Sequence, residues 1–92
     1  MNVTAVFHGI LSDWVGTERS EFELAAGSRL LDLLREIGEA YRPNMPEQLW
    51  DSGRSAFAKP VLAFRRHEQM KDPEESLSDG DEIRFLLMLA GG

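Results

Sequence analysis

One amphipathic segment limits the fold more than any other part of the chain. Leu30, Leu33, Leu34, Ile37 and Tyr41 recur at three- and four-residue steps, while Asp32, Arg35, Glu36 and Glu39 fill the other side. This spacing puts the apolar set on one stripe of an α-helix from about Arg29 to Tyr41. Ser28 is positioned to cap that helix by accepting a bond from an orphan N–H of its first turn. Pro43 stops it. One helix cannot cover both faces of a sheet. The strands around it must therefore pack one face on Leu30, Leu33, Leu34 and Ile37 and leave the other face more open.

Strand signals stand on both sides of the helix. Val3 to Phe7 is β-branched and aromatic, and His8-Gly9 ends it. A polar turn region with Ser12, Asp13, Gly16 and Thr17 leads to Glu21-Phe22-Glu23-Leu24, whose alternation has the period of a half-buried strand. These two segments read as a hairpin with a long connection. After the helix, Pro46 followed by Glu47-Gln48-Leu49-Trp50 predicts a short second helix that Gly53 would end. Val61 to Phe64 is a third strand with the polar exit Arg65-Arg66-His67. Leu77-Ser78-Asp79-Gly80-Asp81 has turn chemistry, with Gly80 free to take positive φ. Glu82 to Leu89 is the last strand. Right-handed crossovers permit the first and last strands to be parallel central neighbours. The fold class is α+β, in a single domain at 92 residues.

Charge is confined. Seven acids and one base lie between Glu68 and Glu82, which accounts for the whole net charge of -6. No basic patch is present to release phosphate counterions, so nucleic acid is not an expected partner. The acidic stretch reads either as a solvated loop or as a device steering the chain toward a basic partner. The absence of Cys excludes disulfide frameworks, Cys-based zinc sites and cysteine nucleophiles. The longest apolar run, Phe85 to Ala90, is far short of the roughly 18 residues of a membrane-spanning helix. Met1-Asn2-Val3-Thr4 has no basic flank before an apolar stretch. The expectation is a cytoplasmic protein with no membrane partner.

Motifs for an autonomous active site are missing. The sequence has no Gly-rich phosphate loop, no dinucleotide fingerprint and no His-Glu-x-x-His. His8 and His67 lack metal-ligand spacing and read as structural or surface residues. Adjacent Glu74 and Glu75 point in different directions, and Asp79-Gly80-Asp81 lacks the ligand ladder of a calcium loop. Trp14 and Trp50 read as core or lid packing.

Two features remain. The sequence closes on Ala90-Gly91-Gly92, which reads either as a frayed end or as a tail shaped to thread a narrow channel, since glycine has no side chain to clash. A terminal carboxylate becomes an electrophile once an ATP-using partner converts it to an acyl-adenylate. In the strand before it, Ile83, Phe85, Leu87 and Leu89 share one face, and Arg84, Leu86, Met88 and Ala90 share the other. With the first set in the core, Leu86 and Met88 are left on the open face, either covered within an assembly or available for docking.

From end to end the sequence resembles the MoaD/ThiS sulfur carriers. Phe7-x-Gly9-x-Leu11 with Gly16 and Glu21-Phe22 resembles their first hairpin, and Leu30-Leu31-x-Leu33-Leu34 their helix. Pro46-Glu47-Gln48-Leu49-Trp50 and Lys59-Pro60-Val61-Leu62 resemble the middle of the longer, MoaD-type members. The most specific part is Leu77-Ser78-Asp79-Gly80-Asp81-Glu82-Ile83 followed at this spacing by Gly91-Gly92.

The resemblance implies a ubiquitin-like β-grasp: a mixed four- to five-stranded sheet with one main helix on one face and a short second helix. Residues 1–90 would form the domain and 91–92 a flexible tail. It implies a protein co-substrate rather than an enzyme, with no tightly bound cofactor. Gly92 would be adenylated by a ubiquitin-activating-type enzyme that uses ATP, then converted to a thiocarboxylate. Gly91 and Ala90 would thread the tail, and Leu86, Met88 and Arg84 would meet the partner. In the MoaD branch the sulfur acceptor is the large subunit of molybdopterin synthase. Other carriers serve thiamin or cysteine pathways, and some ligate to lysines as protein modifiers. A non-covalent interaction module is a further alternative. Two departures stand out: no proline precedes the tail, and Arg65-Arg66-His67-Glu68-Gln69 lacks a glycine, which predicts a looser turn.

Overall fold

The computed structural model describes residues 1–88. The chain runs β1 (Asn2–Phe7), α1 (Ile10–Val15), β2 (Arg19–Glu23), α2 (Leu30–Tyr41), a 3-10 turn at Arg42–Asn44, β3 (Trp50–Asp51), β4 (Ala56–Phe57), β5 (Val61–Arg65), β6 (Glu68–Gln69) and β7 (Glu82–Leu87). Five strands form a mixed sheet in the order β2-β1-β7-β5-β6, and β3 and β4 form a separate ribbon. β1 and β7 are the parallel central pair, in register from Thr4 opposite Glu82 to Phe7 opposite Phe85. As the alternation predicts, Ile83 and Phe85 are buried and Leu30, Leu33, Leu34 and Ile37 pack against their face.

An aromatic cluster holds the centre of this core. The Phe85 ring lies 5.7 Å from Phe7 and 5.3 Å from Phe57, and Phe57 and Trp50 form a T-shaped pair at 5.2 Å. Trp50 in turn lies on Gly38 of α2, where a Cβ would stand 2.5 Å from Trp50 Cζ2. A glycine that weakens the helix interior by roughly 0.5–1 kcal/mol thus makes room for an indole.

Four local expectations need correction. The connection after β1 is not a plain polar turn. Leu11 and Val15, four residues apart, are buried on one side of α1, and Ser12 Oγ donates to the Gly9 carbonyl at 2.8 Å. The short second helix is therefore α1, between the first two strands. The expected helix at Pro46 is a turn, closed by Leu49 N–H donating to Pro46 O at 3.0 Å. Extended pairing follows; Leu49, Ala56 and Phe57 are all buried, and β4 packs against α2.

Ser28 does not cap α2. Its hydroxyl donates to Ala25 O, while the Asp32 carboxylate accepts the Arg29 N–H at 2.9 Å. The orphan donors of Leu30 and Leu31 go to the carbonyls of Glu75 and Pro73, both at 2.9 Å. The acidic stretch is thus fastened by its backbone to the helix start, and Arg29 pairs with Glu74 there. Lastly, the exit from β5 is tight. Arg66 and His67 alone link β5 to β6, with Arg66 at φ 58 where glycine is the usual choice.

Candidate functional site

β7 lies between β1 and β5, so its outward side chains fall in the middle of the uncovered sheet face. Cross-strand register puts Leu62 opposite Leu86, Phe64 opposite Arg84, and Val6 opposite Arg84 on the other flank. Partners in register share a face. Val6, Leu62, Phe64 and Leu86 are all half-buried, forming an apolar strip along the centre of the open face. Arg84 borders it, and its guanidinium donates to the Arg66 carbonyl, which ties the side chain to the β5–β6 turn. Met88 continues the strip beyond the strand. Its side chain is 57% exposed, while its N–H donates to Pro60 O at 2.9 Å.

The entry to β7 is built from local charge. Gly80 takes φ 85, the conformation its sequence context predicts, and its N–H donates to Asn2 O at 2.7 Å. Asp79 accepts the Asn2 N–H, and Asp81 accepts Ser78 N–H and an Arg65 guanidinium N–H at 3.2 Å. Arg65 also reaches Glu75 at 3.4 Å. The 79–81 segment therefore acts as a turn that locks β7 to β1.

Of the residues singled out by sequence, the structure brings Arg84, Leu86 and Met88 onto one surface. Ala90, Gly91 and Gly92 lie outside the described residues. Sequence reasoning missed Val6, Leu62 and Phe64. The two-residue spacing of Leu62 and Phe64 was visible, but which face they joined depended on long-range register. Ile10 at the start of α1 was also missed and is 48% exposed. α1 packs against β7. Next to it, His8 N–H donates to Phe85 O at 3.1 Å, and His8 Nε2 is buried with no hydrogen-bond partner among the described residues. Among the described residues no three His, Asp or Glu side chains converge as a metal site. No helix among them is long and apolar enough to cross a membrane.

No protein-family profile matches the chain, and no curated protein matches it by sequence. Solved structures do. SAMP1 from Haloferax volcanii superposes with a TM-score of 0.82 at 15% identity, covering 100% of both chains. A Pyrococcus furiosus protein assigned as molybdopterin converting factor subunit 1 gives 0.73 at 22% identity, over 97% of this chain and 99% of that one. The BexX/CysO complex of Amycolatopsis orientalis contains a chain matching at 0.61 and 20% identity, over 98% of this chain and 99% of that one.

These neighbours are ubiquitin-fold proteins of the MoaD/ThiS type. What they share with this chain is the fold, a ubiquitin-like β-grasp with one main helix and a short second one.

Proposed function

We propose that the protein is a sulfur carrier, a co-substrate rather than an enzyme, with Gly92 as its working residue. The observation that carries this reading is the end-to-end match to β-grasp proteins, SAMP1 and a molybdopterin converting factor subunit among them. The Asp79-to-Ile83 entry to β7 and the Gly91-Gly92 pair stand in the order the resemblance requires. The carboxylate oxygen of Gly92 attacks the α-phosphorus of ATP in an activating enzyme, and pyrophosphate leaves. Hydrosulfide, HS⁻, then adds to the acyl carbon, AMP leaves, and loss of the proton gives a thiocarboxylate. The strip of Val6, Leu62, Phe64, Leu86 and Met88 is the docking face for that enzyme and for the sulfur acceptor. Burying such side chains contributes about 1.5–3 kcal/mol each, before association costs. The acceptor we favour is a molybdopterin synthase large subunit. That CysO is seen in a complex with BexX supports the docking of a protein of this fold on a second protein. The proposed setting is the cytoplasm.

Intact mass spectrometry of the protein, recovered from cells with an activating system, tests this directly. The expected change is one oxygen exchanged for sulfur, mapped to Gly92 by C-terminal fragment ions. Deleting Gly92 abolishes it and leaves the thermal transition in place. Sulfur loading that survives the deletion refutes the reading. A second reading, a ubiquitin-like modifier, is favoured by the extent of the SAMP1 match. Its mark is an isopeptide bond between Gly92 and a lysine, seen as a branched peptide after digestion.

A further inference from the structure

A cleft that shares Leu62 with the edge of the open sheet face lies beside β5, among the first half of α2, β4 and the 70–73 segment. Its volume is about 230 Å³. Leu34, Phe57, Val61 and Met70 line its apolar interior, and Arg54, Lys59 and Lys71 stand around it. β6 pairs with Phe64 and Arg65, Met70 N–H donates to Ala63 O at 2.8 Å, and the Val61–Ala63 half of β5 forms one rim.

The charges here run against the rest of the molecule. In a chain of net charge -6, three of ten basic side chains surround one apolar cleft. Arg54 is partly neutralised by Asp51 at 3.7 Å. Lys59 and Lys71 make no ion pair with any carboxylate among the described residues. Among the described residues no carboxylate lines the cleft; of the neighbouring acids Glu74 pairs with Arg29, and Asp72 accepts the Glu74 N–H at 2.9 Å.

Size selects the occupant. Pockets that enclose whole small ligands run to about 300–1,000 Å³, and this cleft is smaller. It suits one or two aliphatic side chains delivered from outside. We propose that the cleft binds an acidic, aliphatic peptide segment of a partner protein. One branched aliphatic side chain enters between Leu34 and Val61, and flanking carboxylates meet Lys59 and Lys71. This site shares only Leu62 with the open-face strip and does not involve Gly92, so it stands or falls separately from the carrier reading.

The test is titration of the full chain with a fluorescein-labelled Asp-Glu-Val-Ile-Val-Leu-Asp-Glu peptide, read by anisotropy and by amide chemical shifts. Expected are shifts centred on Lys59, Val61, Ala63 and Lys71, and affinity that falls as salt rises. The Lys59→Glu/Lys71→Glu double variant should lose at least tenfold in affinity, with amide shifts elsewhere unchanged. Ala58→Leu, which fills the cleft and keeps its charges, should also weaken binding. Five outcomes overturn the proposal. The first is equal binding of a peptide with lysines in place of its acids. The second is shifts centred on Val6 and Leu86 instead. The third is octanoate competing as well as the peptide. The fourth is a concentration-dependent dimer that protects the same amides without peptide. The fifth is tighter peptide binding after deletion of residues 89–92, which would assign the cleft to this chain's own end.

Discussion

β7 enters and leaves the sheet under very different restraint. At its entry, Asp79, Gly80 and Asp81 exchange hydrogen bonds with Asn2, Thr4, Ser78 and Arg65. Several of these involve an ionised partner, the stronger class of such bonds. In its middle, Ile83 and Phe85 are enclosed by the core. Beyond the strand's end, among the described residues, a backbone bond to Pro60 holds Met88, which is largely exposed. The same strand thus has a fixed root and an open tip. A protein that must present its last residues to another needs that asymmetry, because the rigid root fixes where the tip points.

The hardest test of the fixed root is its middle. Phe85→Ala removes the ring that joins Phe7 to Phe57, and burial of this kind is worth about 3–5 kcal/mol. In a domain this small that loss approaches the whole stability, about 5–15 kcal/mol in general. Urea titration should show a large fall in midpoint or no folded baseline at all. A loss under about 1 kcal/mol would mean that β7 is not the anchor described here.

Gly38→Ala attacks the same cluster from the helix side. Alanine ordinarily stabilises a helix interior, by roughly 0.5–1 kcal/mol over glycine. Here its Cβ meets the Trp50 ring at 2.5 Å, so the indole has to move off Phe57. Overpacking of this kind costs about 1–3 kcal/mol. We expect net destabilisation with altered tryptophan fluorescence. A stabilised variant would show that Trp50 yields freely.

The entry turn comes next. Asp81→Ala removes the acceptor shared by Ser78 and Arg65, at a cost of about 1–2 kcal/mol. Amide exchange should quicken first at Asn2, Thr4 and Gly80. Uniform acceleration across the sheet would mean that the turn has no separate role in holding the root.

Much of this root was legible because its signals are local. The three- and four-residue steps of α2, the alternation of Ile83 and Phe85 and the Asp79-Gly80 turn each lie within a few residues of chain. The parallel pairing of β1 and β7 was one that crossover handedness permits, and the structure adopts it. The errors occurred where long-range contacts override composition. Leu11 and Val15 make α1 a buried helix despite Ser12 and Asp13 between them. Burial of Leu49 and Phe57 goes with a turn at Pro46 and the ribbon that follows it. Ser28 lost its capping role because the carbonyls of Pro73 and Glu75, more than forty positions away, already satisfy the helix start. At the tip, Leu86 and Met88 were readable from alternation alone. Val6, Leu62 and Phe64 were not, since only cross-strand register puts them beside Leu86.

Met88→Asp probes the tip alone and should have the smallest structural effect. Exposed side chains away from packed features change stability by no more than about 0.5 kcal/mol. For a domain of this size that is a shift in Tm below about 4 °C. Its effect on docking should be larger. In the carrier reading Met88 is covered by the activating enzyme, and the substitution puts a carboxylate into an apolar contact. A tenfold loss of affinity corresponds to about 1.4 kcal/mol, less than the transfer value of one buried side chain. ATP–pyrophosphate exchange by an activating-type enzyme, dependent on this protein, should therefore need at least tenfold more of the variant for half-maximal rate. Glu68→Ala, on the exposed edge strand away from the strip, should leave that requirement unchanged. If Met88→Asp and Glu68→Ala behave alike in exchange, the open tip is not a docking surface. If Met88→Asp instead lowers Tm as much as Asp81→Ala does, root and tip are not separable in this strand.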